Sequence, residues 1–203
     1  MPYIIRPRRF PSKALAACSA LLVLGAGSAQ AASLPDTSTC EVPALSQPFL
    51  YANDSNYYTL APGQMPDSFE GQGWTLSGGA TVKQSTLAGG KAGSVLNMPN
   101  GSKAVSPVMC AGSEYPQART MVRNVVGASG VTFNVSYQGT SSWVTPKKTG
   151  TVKGNGSEWT LSAPVNLEPS NVSGWQLLKI TLVALKGANE VQISNLYVDP
   201  YRR

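Results

Sequence analysis

The chain contains no histidine, and this absence excludes most common enzyme chemistry. Ser-His-Asp and Cys-His catalysis need an imidazole as general base, and the usual zinc hydrolase sites need it as a ligand. No phosphate-binding glycine loop is present either, because Gly78-Gly79 and Gly89-Gly90 lack the following lysine and helix. The catalytic chemistry that remains is a pair of carboxylates across a glycosidic bond. Its candidates are Asp54, Asp67, Glu70, Glu114 and Glu158.

The chain has no apolar run long enough to span a membrane. The shorter apolar stretch near its start is typical of a signal peptide. Four basic residues between Arg6 and Lys13 precede an apolar stretch over 14–27, and Ala29-Gln30-Ala31 follows. A membrane anchor needs about 18 or more apolar residues, and this stretch is shorter and interrupted by Gly and Ser. We therefore expect cleavage after Ala31, a secreted, extracellular protein and no membrane span.

Most of the net positive charge of the chain comes from this leader. Of 16 basic and 10 acidic residues, four basic ones and no acidic one precede residue 32, so the net charge falls from +6 to +2. So small a charge does not favour nucleic-acid binding. We expect a monomer with no nucleic-acid partner.

Cysteine is scarce, and its count predicts a disulfide. Cys18 leaves with the leader, so the exported chain keeps Cys40 and Cys110, an even pair in an oxidising compartment. Two cysteines without histidine offer too few ligands for structural zinc. We expect the two to be bridged, and we expect no cofactor.

Alternating apolar and polar residues predict an all-β fold. The clearest strand is 131–137, and the runs 178–183 and 191–198 are interpreted as a terminal hairpin. Shorter strands are predicted at 74–76, 80–83, 94–98, 103–106, 120–123 and 159–161. Many short strands separated by Gly and Pro turns favour an antiparallel β-sandwich, which we expect to be a jelly roll over 67–203. Residues 32–66 lack alternation, and we expect an extended arm that packs on the sandwich through its tyrosines.

The edges of the expected sandwich resemble jelly-roll carbohydrate-binding modules. Phe69-Glu70 followed by Gly73-Trp74 and Gly78-Gly79-Ala80 is similar to their opening, and 191–200 is similar to their final strand. With 106–110, 115–116 and 123–124 added, the exported chain resembles a group of secreted actinobacterial proteins of unknown function. The module resemblance implies a structural calcium ion held by acidic residues near both ends, here Glu70 and Asp199.

Aromatic residues supply the argument for binding, because sugar rings stack on the faces of Trp and Tyr. Trp143 lies in a polar stretch, and we name it with Tyr137 and Lys147 as candidate ligand-binding residues. A core position for Trp143 remains an alternative. The basic cluster of Lys147, Lys148 and Lys153 is interpreted as a solvated turn, and contact with an anionic envelope polymer is its alternative. Trp74, Trp159 and Trp175 are expected in the core. The leading hypothesis is a secreted, non-catalytic domain that binds extracellular carbohydrate or cell-envelope polymer. The alternatives are a structural or protein-interaction domain without a small ligand, and a carboxylate-based glycoside hydrolase.

Overall fold

The computed structural model describes residues 36–41, 43–112, 116–128, 130–140, 142–168, 174–187 and 190–200, so the expected signal peptide lies outside the described residues. No helix in these ranges is long and apolar enough to cross a membrane, and the two helical turns, Leu50–Ala52 and Ala88–Gly90, are 3-10. The strands in the described part of the chain are β1 (Thr59–Leu60), β2 (Thr75–Ser77), β3 (Thr81–Thr86), β4 (Ala92–Pro99), β5 (Lys103–Val105), β6 (Met109–Gly112), β7 (Gln117–Val126), β8 (Gly130–Tyr137), β9 (Lys147–Lys153), β10 (Thr160–Leu161), β11 (Val165–Asn166), β12 (Trp175–Ala184) and β13 (Glu190–Asp199).

These strands form two antiparallel sheets. Sheet I has the order β3-β4-β13-β7-β10, with β1 added beside β13 and β11 beside β7. Sheet II has the order β2-β5-β12-β8-β9, with β6 added beside β12. Along the chain, only the connections β3 to β4, β5 to β6, β8 to β9 and β10 to β11 stay within one sheet, and the other eight connections between these strands cross to the facing sheet. This order, β4-β13-β7-β10 against β5-β12-β8-β9, is that of a jelly roll. The predicted fold class is confirmed.

The expected terminal hairpin is wrong. Its two runs are strands, β12 and β13, but β12 pairs with β5, β6 and β8 in sheet II, and β13 pairs with β4, β7 and β1 in sheet I. A period of two reports which residues face the core, and it holds equally for two strands in facing sheets. The short polar connection between the strands therefore joins the two layers.

The core lies between the sheets and follows from this alternation. Val131, Phe133 and Val135 of β8 point inward, and Leu178, Ile180 and Leu182 of β12 continue the same layer. From sheet I, alternate residues of β13 and β7 meet them, among them Ile193 and Val122. The polar residues between these positions face outward, which leaves the outer face of each sheet for contacts with the arm or with ligands.

The arm packs on the outer face of sheet I. Phe49 is 2% exposed, and its ring meets those of Tyr58 and Tyr197 edge-on, with both pairs of ring centroids 5.1 Å apart. Tyr58 is buried, but Tyr51 and Tyr57 are exposed. Of the three tyrosines that were expected to pack on the sandwich, Tyr58 therefore does so. Phe49, rather than Tyr51 or Tyr57, makes the other aromatic contacts.

The predicted disulfide is confirmed. The sulfur atoms of Cys40 and Cys110 are 2.02 Å apart, and the Cα atoms are 5.7 Å apart. Cys110 lies on β6, opposite Leu177 of β12. The bridge therefore ties the first described residues of the arm to β6, a strand that flanks the central strand β12 of sheet II.

Candidate functional site

A pocket of about 200 Å³ lies at the end of the sandwich where β8 leads into β9 and where the chain leaves β11 for β12. Its walls come from these two connections and from strands β8, β9 and β12, and we call it the end pocket. Two of the three candidate ligand-binding residues line it. Its lining is Val135, Tyr137, Gln138, Gly139, Val144, Thr145, Lys147, Thr149, Glu168 and Gln176.

Strand alternation turns Tyr137 toward the interior. Tyr137 is the last residue of β8 and shares the face of Val131, Phe133 and Val135, so its ring packs against the edge of the core. The ring continues the apolar wall, and the hydroxyl group lies beyond the last complete layer of core side chains.

The Tyr137 hydroxyl oxygen is buried and has no hydrogen-bond partner among the described residues. Burial raises the pKa of Tyr137, and the negative charge of Glu168 raises it further, so the group stays protonated. A buried hydroxyl without a partner costs free energy that a partner would recover. One residue of the pocket lining thus carries a buried polar group that can donate one hydrogen bond and accept others.

An irregularity in β9 turns Lys147 toward the same pocket. Val152 faces the core opposite Val131, and Gly150 lies opposite Phe133, but the register then shifts so that Lys147 lies opposite Val135. A β-bulge of this kind inserts one residue and reverses which side chains face inward. Without the shift, Lys148 rather than Lys147 would share the face of Val135.

The interpretation of 147–153 as a solvated turn is therefore wrong, because these residues form strand β9 at the edge of sheet II. Lysine is a common residue on exposed edge strands, where its charge opposes pairing with another chain. Lysines at three of its seven positions made the segment resemble a polar turn rather than a strand.

Glu168 supplies a negative charge to the end pocket. Its backbone N–H donates to the side-chain oxygen of Asn166 at 2.7 Å, which fixes the start of the connection to β12. Lys147 and Glu168 therefore place a cation and an anion on the rim of a pocket with mainly apolar walls. Such a site offers donors, acceptors and apolar contact within one small volume.

Trp143 lies apart from the end pocket. It pairs with Gln138 in an isolated bridge, and Lys179 Nζ lies 4.3 Å from the centre of its ring. Lys179 alternates with the core residues Leu178 and Ile180, so the indole lies over the outer face of sheet II. The structure therefore brings Tyr137 and Lys147 together and places the half-buried Trp143 on the neighbouring surface.

The other tryptophans divide into two kinds. Trp74 is 8% exposed, packs on Phe69 at a centroid distance of 5.0 Å and donates to the Pro62 carbonyl, as expected for a core residue. Trp159 and Trp175 are half-buried and lie outside the core cluster. Sequence reasoning missed the position of Trp159, although the preceding Gly154-Asn155-Gly156 turn and Glu158 are signals of a surface loop.

The Cys, Asp and Glu side chains do not assemble a metal site in the part of the chain that the structure describes. No group of three Cys, Asp or Glu side chains comes together there. Glu70 is exposed and Asp199 is buried, and calcium binding by these two residues stays a prediction. Asp67 pairs with Lys91, and Glu114 lies outside the described residues.

Asp54 is the one candidate carboxylate that the described residues bury, and its surroundings oppose proton donation. Burial by itself would raise the pKa of Asp54, but hydrogen bonds from Tyr58, Arg119 and the Asn56 backbone outweigh it and hold the pKa below its ordinary value. A general acid of a glycosidase needs the opposite shift.

The chain matches no protein-family model and no curated protein. Among solved structures, it is similar to the xylanase 10B CBM22-1–GH10 modules of Clostridium thermocellum in complex with xylohexaose (17% identity, 73% of this chain and 29% of that chain, TM-score 0.49). It is also similar to the CBM22-1 xylan-binding domain of Paenibacillus barcinonensis Xyn10C, at 12% identity over 65% of this chain and 88% of that chain, with a TM-score of 0.46. A third similar structure is an exo-β-agarase, at 12% identity over 72% of this chain and 25% of that chain, with a TM-score of 0.49. The chain thus spans less than a third of the xylanase and agarase chains.

Proposed function

We propose that this chain is a secreted, non-catalytic protein that binds extracellular carbohydrate or cell-envelope polymer, with the end pocket as its site. The observation that carries the proposal is the buried hydroxyl group of Tyr137, a residue that lines the pocket, because this hydroxyl has no partner among the described residues. A ligand hydroxyl placed there would give this group the hydrogen bond that the protein does not.

Sugar chemistry fits the walls of the pocket. A pyranose ring has apolar C–H faces and a rim of hydroxyl groups, each of which both donates and accepts. Val135, Val144 and the Tyr137 ring offer apolar contact, Lys147 donates and Glu168 accepts. Opposite charges on the rim favour a neutral ligand over a strongly charged one.

The volume favours a small part of a larger molecule. About 200 Å³ lies below the roughly 300–1,000 Å³ of pockets that take drug-sized ligands. One sugar unit at the end of a chain or in a branch is of suitable size. Trp143, on the neighbouring outer face, is proposed to contact an adjacent unit of the same polymer.

Absence of turnover is proposed from the carboxylates. Hydrolysis of a glycosidic bond needs two acidic side chains about 5–10 Å apart, and Glu168 is the one carboxylate in the pocket lining. Secretion is proposed from the leader pattern and is supported by the Cys40–Cys110 bridge, since disulfides persist in oxidising compartments.

The test is a pull-down on insoluble cellulose, chitin, xylan and peptidoglycan, with Tyr137→Phe as the variant. We expect the wild type to be retained on at least one polymer and Tyr137→Phe to bind that polymer about tenfold more weakly, which is about 1.4 kcal/mol. The same substitution should raise the free energy of unfolding by about 1 kcal/mol, because it removes a buried hydroxyl group that has no partner.

Tyr58→Phe is the matched control. Its hydroxyl is also buried but donates to Asp54 at 2.7 Å, so its removal should lower the free energy of unfolding by about 1 kcal/mol and leave retention unchanged. Flow-through of the wild type on all four polymers would contradict the proposal. It would favour the alternative of a protein-interaction domain, to which the exposed Leu50, Tyr51 and Tyr57 of the arm would be suited.

A further inference from the structure

A second cleft, of about 340 Å³, lies on the other sheet. It is bounded by the segment 86–90, which joins β3 to β4, and by Arg123, Glu158 and Trp159. We call it the sheet I cleft. It shares no lining residue with the end pocket, and none of its residues takes part in the function proposed above.

Trp159 is held in a fixed position along this cleft. Its indole N–H donates to the Thr86 carbonyl oxygen at 2.8 Å, and the guanidinium carbon of Arg123 lies 4.7 Å from the centre of the ring. The indole N–H is thus already satisfied by the protein. The ring itself is a rigid, half-buried apolar plane with Arg123 over one face, and sugar-binding surfaces use such planes.

Arg123 is oriented by a chain of polar side chains, of which Gln192 and Asn97 are buried. Its Nε and Nη2 atoms donate to the Gln192 side-chain oxygen at 3.0 and 2.9 Å, and Nη2 also donates to the Ser85 hydroxyl at 2.6 Å. Gln192 in turn donates to Asn97 at 3.0 Å. Such a network holds a long side chain in one conformation before any ligand arrives.

The remaining Arg123 nitrogen, Nη1, makes no hydrogen bond to any described residue. The Glu158 carboxylate, in the same cleft, makes no ion pair within the described part of the chain. Gly89 and Gly90 have φ of +81°, and no atom lies within 4 Å of the position of a Cβ at either residue. The opposite wall is therefore bare backbone with open space in front of it.

We propose that the sheet I cleft is a second carbohydrate site, which holds one neutral sugar unit on the Trp159 ring. Arg123 Nη1 donates to a ring or hydroxyl oxygen, and Glu158 accepts from a sugar hydroxyl. The cation and the anion balance each other, so the site disfavours charged sugars. Together with the end pocket, the cleft gives one molecule two independent points of attachment to polysaccharide.

The experiment is titration of the full exported chain, ¹⁵N-labelled, with cellohexaose, xylohexaose and chitohexaose, followed by NMR. The Trp159 indole N–H signal is assigned from its loss in Trp159→Phe. We expect at least one oligosaccharide to shift the Trp159 indole and Arg123 signals in the wild type and also in Tyr137→Phe, in which the end pocket is impaired. Shifts confined to 135–147 and Glu168, or no shift of Trp159 with any of the three, would overturn the proposal.

Two variants separate binding from folding. Glu158→Gln changes an exposed side chain, so it should keep the fold and weaken binding at Trp159 several-fold, whereas Trp159→Ala should weaken it about tenfold or more. Tyr51→Ala, at an aromatic residue that is 70% exposed and belongs to neither site, is the control and should change nothing. If neither Glu158→Gln nor Trp159→Ala changed the affinity of the cleft, the inference would be contradicted. If the wild type bound sugar at the cleft but not at the end pocket, only the proposed function would be contradicted.

Discussion

Arg119 donates a hydrogen bond to the carboxylate of Asp54, from strand β7 to a residue 65 positions earlier in the arm. The side chains of both residues are largely buried, and Arg119 also donates twice to the Ser162 carbonyl oxygen, at 3.0 and 2.8 Å. The guanidinium further lies over the Phe49 ring at 5.4 Å. One arginine therefore joins the arm, sheet I and the segment that follows β10.

Asp54→Ala should destabilise the protein by about 3 kcal/mol or more, since the loss of one partner leaves a largely buried charge unpaired. It also removes the acceptor of the Tyr58 hydroxyl. Urea denaturation would measure the change. Asp67→Ala is the control, because its ion pair with Lys91 is exposed and should contribute less than about 1 kcal/mol. Equal effects of the two substitutions would contradict the importance of the buried pair.

Acid should remove the contribution of Asp54. Hydrogen bonds hold the pKa of Asp54 below its ordinary value in the folded state, so its stabilising effect is complete above the unfolded pKa of about 4 and is lost as the pH falls below that value. Asp54→Asn should therefore lose less stability than the wild type between pH 5 and pH 2. Parallel stability curves for the two proteins would show that Asp54 does not drive the acid transition.

The tryptophans should differ in stability and binding. Trp74→Ala should cost about 3–5 kcal/mol, because it empties a core position packed on Phe69. Trp143→Ala, on the outer face of sheet II, should cost less than about 1 kcal/mol and lower retention on the polymer that binds the wild type. Thermal unfolding and pull-down of both variants test this. Retention unaffected in a folded Trp143→Ala variant would remove Trp143 from the binding surface.

Reduction of the disulfide should destabilise the fold strongly. The bridge closes a loop of 70 residues, which corresponds to about 4 kcal/mol in the chain-entropy model. The double variant Cys40→Ser/Cys110→Ser should show the same loss in non-reducing buffer, and added reductant should not change its stability further. If reductant lowered the melting temperature of the double variant as much as that of the wild type, the bridge would not be the cause.

The strands and the fold class could be predicted from the sequence because side-chain period and turn residues are local properties. Strand β8 was found with nearly its observed bounds for this reason. The sheet to which each strand belongs is not a local property, and β12 and β13 were assigned to one hairpin although they lie in opposite layers.

The candidate sites were harder to predict, because they depend on small departures from regular geometry. Lys147 reaches the end pocket through a register shift in β9, which no residue of that strand indicates. Trp159 comes just before the short strand β10, and its contact with Arg123 of β7 joins residues that are distant in sequence. Such contacts depend on which residues of neighbouring strands lie opposite each other, and this pairing is not encoded locally in the sequence.

The positions of the last two strands have a consequence for how the protein folds. β13 lies in the middle of sheet I and β12 in the middle of sheet II, so each layer lacks its central strand until the C-terminal segment is available. Pairings between distant parts of a chain form slowly, because a large loop must close before any contact compensates the lost entropy. A nascent chain would therefore remain unfolded while its earlier strands emerge from the ribosome. Such delayed folding would keep the polypeptide extended for passage through a narrow translocation channel, as the proposed secretion requires.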